Sequence, residues 1–171
     1  MEICALSELF DVKYGVNLEL NALEKSHKGI NFVARTAKNN GVSAHVKRLP
    51  YVKPIPAGTI SVACGGSVLE SFLQSEPYYS GRDLFYLTAK TEMSDELKLF
   101  YCHCLRMNKF KYSYGRQANI TLPSLQVPCL EEAEKFVKGL SIQNTKKLMV
   151  QRLNILELKE STIQNNKVDR R

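Results

Sequence analysis

Lys109-Phe110-Lys111-Tyr112-Ser113-Tyr114-Gly115-Arg116-Gln117-Ala118-Asn119 puts cations, aromatic rings and side-chain amides in one short stretch. An arginine fork pairs bidentately with guanine, and Gln or Asn does the same with adenine, so this set can read base edges. Strand-like alternation predicts Lys109, Lys111 and Ser113 on one face, with Phe110, Tyr112 and Tyr114 on the other. Gly115 then permits a turn that presents Arg116, Gln117 and Asn119. Arg35-Thr36-Ala37-Lys38-Asn39-Asn40 offers the same chemistry earlier in the chain. Without a ligand, the first cluster reads as a solvated loop in front of an aromatic strand. The second then reads as an ordinary polar turn.

Both clusters lie in stretches without a carboxylate. Residues 25–69 hold Lys25, Lys28, Arg35, Lys38, Lys47, Arg48 and Lys53; residues 97–130 hold Lys98, Arg106, Lys109, Lys111 and Arg116. Neither stretch contains Asp or Glu, so the two sum to +12 in a chain whose net charge is +7. The rest of the chain is therefore net acidic. A sustained field of one sign is what a polyanion partner requires, and nucleic acid is the first expectation.

Other chemistries fail on missing residues. Glu76-Pro77-Tyr78-Tyr79 resembles an amino-methyltransferase loop but lacks its leading Asp or Asn and its second proline, and no Gly-rich cofactor loop precedes it. Asp83 with Thr88-Ala89-Lys90 resembles a nuclease site in which Thr88 stands where a metal-binding carboxylate is needed. Gly58 and Gly65-Gly66-Ser67 lack the G-K-[ST] ending of a phosphate loop, leaving tight turns or close backbone approach to a ligand as their roles. His27, His45 and His103 have no Ser or Cys partner at suggestive spacing. Of the cysteines Cys4, Cys64, Cys102, Cys104 and Cys129, only Cys102-His103-Cys104 clusters, and a C-x-C pair diverges on a helix. Buried free thiols are expected rather than a zinc site, and neither catalytic residues nor a cofactor.

The elements that must position these residues are strands first and a helix last. The chain has 171 residues, 44% apolar and 24% charged, which suits a folded domain with an appendage. No run approaches a membrane span, and Met1-Glu2 does not open a signal peptide, so a cytoplasmic location is expected. Leu6 to Gly15 reads as a helical turn leading into a strand. Ile30 to Arg35 alternates like a half-buried strand running into a polar segment, Thr36 to Ser43, with a turn at Asn39-Asn40-Gly41. Another turn falls at Pro54-Ile55-Pro56-Ala57-Gly58. Further strands are predicted over Thr59 to Cys64, Val68 to Leu73 and Asp83 to Thr88, with a helix over Leu97 to Met107 that puts Leu97, Phe100, Tyr101, Cys104 and Leu105 on one side. A loop follows over Asn108 to Asn119. Leu122-Pro123 and Val127-Pro128 mark the end of the globular part. Beyond Glu131 the pattern turns helical. Ile142, Met149, Leu156 and Ile163 recur every seven residues beside Leu153, as in a coiled-coil seam or a helix packed on its own domain. Residues 165–171 read as a frayed tail.

Several of these segments carry a family resemblance. Leu6 to Gly15, Pro56-Ala57-Gly58-Thr59-Ile60-Ser61-Val62, Tyr114 to Asn119 and Leu122-Pro123-Ser124-Leu125-Gln126-Val127-Pro128 resemble the target recognition domain of type I restriction–modification specificity subunits. Asn31 to Val42 is more similar to the recognition domains of related systems whose partner subunit fuses cleavage and methylation. The similarity covers residues 5–130, and the helical tail resembles the family's spacer helices.

The resemblance implies a mixed α/β, strand-rich recognition domain over 1–130 and a helical, coiled-coil or dimerisation segment over 131–171. It implies reading of one part of a split double-stranded DNA target while methyltransferase or restriction subunits act. Specificity subunits of this kind carry two recognition domains joined by two long helices, and this chain carries one of each. A half-subunit forming a homodimer through its tail, a piece of a larger protein and a stand-alone relative all match that pattern. From residue chemistry, Lys25, Lys28, Lys47, Arg48, Lys109 and Lys111 are expected on phosphates. Arg35, Lys38, Asn39, Asn40, Arg116, Gln117 and Asn119 are expected on bases, with Tyr112 and Tyr114 beneath the loop or against sugars. The competing reading is a non-catalytic scaffold that docks a methyltransferase subunit and binds DNA only non-specifically.

Overall fold

The computed structural model describes residues 1–112 and 117–140. The chain opens with strand β1 (Ile3–Ala5), one helical turn α1 (Leu6–Leu9) and strand β2 (Phe10–Tyr14). The Glu8 carboxylate accepts the Ala5 N–H at 2.8 Å and closes that turn. Then come β3 (Lys25–Val33), β4 (Val42–Val46), β5 (Ile60–Ala63), β6 (Ser71–Leu73), β7 (Tyr78–Ser80) and β8 (Leu84–Ala89). Helix α2 (Asp95–Met107), strand β9 (Gln126–Pro128) and helix α3 (Leu130–Leu140) complete the described elements. The first compact unit spans Met1–Glu134. The mixed, strand-rich α/β class expected from sequence is observed. The seven-residue repeat over Ile142, Met149, Leu153, Leu156 and Ile163 lies outside the described residues.

Three sheets share the work. An antiparallel sheet runs in the order β2-β8-β5-β6; a second, β4-β3-β7, pairs β3 antiparallel to β4 and parallel to β7; the third is the clasp β1-β9. The second sheet departs most from expectation. Strand β3 begins at Lys25 rather than Ile30, and its end is covered on both sides. Phe32 packs with Val46 and Tyr79, whereas Val33 packs with Ile55, Tyr78 and Leu84. Successive strand residues face opposite ways, so two clusters on opposite faces account for two fully buried neighbours. Glu76-Pro77-Tyr78-Tyr79, read above against a methyltransferase loop, leads into β7, whose Tyr78 and Tyr79 are both 0% exposed.

Other boundaries move for local reasons. The strand expected from Val68 is confined to Ser71–Leu73, because Leu69 sits at φ +59° in a turn closed by Glu70 N–H donating to the Ser67 carbonyl at 3.0 Å. Lys109–Tyr112 is a 3-10 turn, so the alternation expected there does not form. The prolines near 123 and 128 do not end the unit: Pro128 pairs with Ile3, and Val127 and Ala133 are buried. Pro128 sits on a two-stranded edge, where a missing N–H costs least.

Helix α2 follows its predicted spacing, with Leu97, Tyr101 and Leu105 buried and Ser94 Oγ accepting the Leu97 N–H at 3.3 Å. Tyr101 meets Phe10 edge-on at 5.3 Å and donates to the Pro128 carbonyl at 3.1 Å, tying the helix to β2 and β9. Cys102 is buried on α2 while His103 is exposed beside it.

Burial pushes the Cys64 and Cys102 thiols up to about 12 from their ordinary 9.0, with Asp83 adding to the rise at Cys64. A raised folded value means that stability is intact below pH 9 and is lost as pH climbs toward 12, since unfolded thiols ionise first. The expected result is a urea midpoint that is flat from pH 7 to 8.5 and falls above pH 9. Cys64→Ala should make that fall shallower; an equal fall in the variant would remove Cys64 from the cause.

Candidate nucleic-acid interface

Three consecutive left-handed residues shape the β3–β4 loop: Asn39 at φ +46°, Asn40 at +51° and Gly41 at +81°. Asparagine and glycine tolerate this region best, and the polar turn expected at these positions is observed. The loop is braced from several sides. The Ala34 N–H donates to the Gly41 carbonyl at 2.8 Å, and the Asn39 amide donates to the Val42 carbonyl at 3.0 Å. From beneath, Gln74, 3% exposed, donates to the Asn40 carbonyl at 2.8 Å and to Ser61 Oγ at 2.9 Å. Lys38, Asn39 and Asn40 are left exposed on a fixed backbone.

Arg35 is engaged within the fold. Its Nη1 lies 2.5 Å from Asp83 Oδ2, and the pair packs over Gly65. A Cβ at Gly65 would stand 2.9 Å from that guanidinium and 3.1 Å from the carboxylate, while Gly66 holds φ +62° against the Arg35 carbonyl. The glycine pair is thus explained by the close approach of Arg35 from within the fold rather than by approach to a ligand, and the positive φ of Gly66 matches the turn expected there. Asp83, considered above as a nuclease residue, is its counter-ion.

The second cluster lies beside the first. Ala37, Gly66, Ser67, Val68, Glu70, Lys109 and Tyr112 line a groove of about 380 Å³, which brings the β3–β4 loop and the 109–112 turn to one place. Lys109 forms an ion pair with Glu70, and the Tyr112 and Thr121 hydroxyls share a hydrogen bond of 2.7 Å. Tyr112 and Lys111 also border a cavity of about 520 Å³ with Gln117, Thr121 and Gln126. The Asn119 amide donates to Gln117 Oε1 at 3.2 Å, and Asn119 Oδ1 is buried without a hydrogen-bond partner among the described residues. Tyr114 and Arg116 lie outside the described residues.

Lys25, Lys28, Lys47 and Arg48 stand apart from this groove. They gather where Lys25 and Ile30 both pair with Val46, at the end of β4 remote from Asn39. Four strand steps of about 3.4 Å put the two ends roughly 14 Å apart. Lys47 pairs with Glu24 at 2.5 Å. Four cations of the acid-free stretches therefore meet carboxylates from outside them: Arg35 with Asp83, Lys47 with Glu24, Lys98 with Asp95, Lys109 with Glu70. Lys25, Lys28, Lys38, Arg48, Lys53 and Lys111 form no ion pair among the described residues. Sequence reasoning missed Gln74, Asp83 and Glu70 as supports. Their only signal was a polar side chain next to an apolar strand.

No helix among the described residues is long and apolar enough to cross a membrane. A family model described as the type I restriction modification DNA specificity domain matches residues 1–158. No curated protein matches the chain. Among solved structures, the HsdS subunit from Thermoanaerobacter tengcongensis aligns with a TM-score of 0.63 at 17% identity, over 89% of this chain and 39% of that one. The S subunit of a type I restriction–modification system from M. genitalium aligns at 0.57 and 19% identity, over 91% and 43%. A chain from a type I R-M system, described for its complex assembly and conformational transition, aligns at 0.65 and 17%, over 89% and 40%. At such identities the likeness is one of fold. The chain spans about two fifths of the length of these solved chains.

Proposed function

This chain belongs to the type I restriction modification DNA specificity domain family, and from that membership we propose that it binds double-stranded DNA at a defined sequence and directs methyltransferase and restriction subunits to it. The observation that carries the reading is the groove joining the braced 34–41 loop to the 109–112 turn, with cations free of ion pairs on both segments. In this reading Lys38, Asn39, Asn40, Gln117 and Asn119 address base edges, together with Arg116. Arg35 acts from behind the loop, held by Asp83. Lys25, Lys28, Arg48 and Lys111 take phosphates, and Lys47 and Lys109 exchange a carboxylate for a phosphate on binding. Tyr112 supports the turn through Thr121.

Residues 1–130 form the recognition module in this proposal, and 131–171 a helical spacer that pairs with a second copy or with a partner subunit. The chemistry on DNA belongs to those partners in the cytoplasm. The test is selection of the purified chain on a randomised duplex pool at two salt concentrations. An enriched motif supports sequence reading, and a two-part motif adds pairing through the tail. Salt-sensitive binding with no motif favours the scaffold reading instead.

The salt response itself is predictable. Six phosphate contacts, by Lys25, Lys28, Lys47, Arg48, Lys109 and Lys111, each displacing about one counterion, give a log–log slope near −5, or roughly a thousandfold loss of affinity between 50 and 200 mM salt. A slope near −1 would rule out a polyphosphate contact by this surface.

A further inference from the structure

Tyr51 is 98% exposed, yet the turn that displays it is firmly held. The hydroxyl of Tyr79, itself 0% exposed, accepts the Leu49 N–H at 3.0 Å and donates to the Val52 carbonyl at 3.1 Å. One buried group thus pins the backbone on both sides of Pro50-Tyr51. Leu49 and Val52 pack against the cluster of Phe32, Val46 and Tyr79, and Pro50 fixes its own φ. An aromatic ring with both stems anchored loses little entropy when something packs on it. The cations beside it, Arg48 and Lys53, are exposed and form no ion pair among the described residues. Lys25 and Lys28 lie on the adjoining bulge, and the neighbouring carboxylate Glu24 is engaged by Lys47.

We propose that the 48–53 turn is a second DNA contact, in which the Tyr51 ring packs against deoxyribose in the groove wall while Arg48 and Lys53 hold the flanking phosphates. Alternating apolar sugars and anionic phosphates match a ring between two cations. A protein partner matches less well, since the cores of protein interfaces are depleted in lysine. The turn stands at the end of β4 remote from the 34–41 loop, so the duplex is gripped at two points, one reading sequence and one anchoring it. This inference rests on the DNA-binding reading above.

The chain contains no tryptophan, so Tyr51→Trp in the full chain creates a single fluorescent indole. The expected result is quenching on titration with random-sequence duplex, at the same midpoint as the anisotropy of labelled duplex. Tyr51→Ala should weaken selected and random duplexes alike, with the selected motif unchanged. Duplex bound at wild-type affinity by both variants with an unchanged indole signal overturns the second contact alone. A wild-type chain that binds no duplex overturns the DNA-binding reading itself. An indole that responds to a methyltransferase subunit but not to duplex would assign the turn to protein docking and overturn the proposal.

Discussion

Gln74→Leu should abolish most sequence discrimination while leaving the salt dependence of DNA binding intact. Gln74 is almost fully buried, and its amide holds both the Asn40 carbonyl and Ser61 Oγ. Removing it leaves those acceptors without their donor and costs about 1–3 kcal/mol. It also releases the strain in Asn39 and Asn40, because left-handed backbone costs a non-glycine residue about 1–2 kcal/mol unless its surroundings impose it. A loop free to relax no longer holds Lys38, Asn39 and Asn40 at one register over the bases. Discrimination between the selected motif and random duplex should fall by about tenfold to a hundredfold, as 1.4 kcal/mol per decade implies. The phosphate-holding cations are untouched, so affinity for random duplex and its salt slope should match wild type. Anisotropy at two salt concentrations with both duplexes measures this directly. Equal losses on both duplexes would make Gln74 a general stabiliser rather than a positioning residue.

Gly29→Ala should be the most damaging small substitution in the strands. A Cβ at Gly29 would overlap the Val46 carbonyl and stand 3.0 Å from the Ser26 carbonyl. These are backbone atoms that cannot rotate away. The clash falls where β3 bulges against β4, with Lys25 and Ile30 both opposite Val46. Relieving it separates the strands beside a core cluster in which Val46 is 0% exposed. A penalty of about 3 kcal/mol follows, at the upper end for overpacking, which lowers Tm by roughly 10 °C. Gly139→Ala supplies the control of opposite sign. That glycine lies in α3 with nothing among the described residues within 4 Å of a built Cβ, so alanine should stabilise by about 0.5–1 kcal/mol. Thermal unfolding of the two variants side by side checks both signs. A Gly29→Ala chain that melts with wild type would mean that the bulge yields without cost.

The amino-acid sequence by itself determined the local facts. Asn39-Asn40-Gly41 is a turn because those residues accept positive φ, β5 is buried because Ile60 to Ala63 has no polar face to offer beyond Ser61, and α2 follows from the spacing of Leu97, Tyr101 and Leu105. The family resemblance and the carboxylate-free stretches were also legible there, since both are properties of residues read in order. Tertiary structure alone decided which cations remain available. Arg35 and Asp83 are 48 positions apart, and Lys109 and Glu70 are 39 apart, yet each pair is in contact. A charge window counts along the chain, whereas the field a ligand meets depends on distance through space. The same reason hid β7. Tyr78 and Tyr79 pair in parallel with a strand more than forty residues earlier, and nothing local announces that partner. It also hid the hydroxyl of Tyr79 beneath Tyr51 and the amide of Gln74 beneath Asn40, supports that exist only once distant strands are laid side by side.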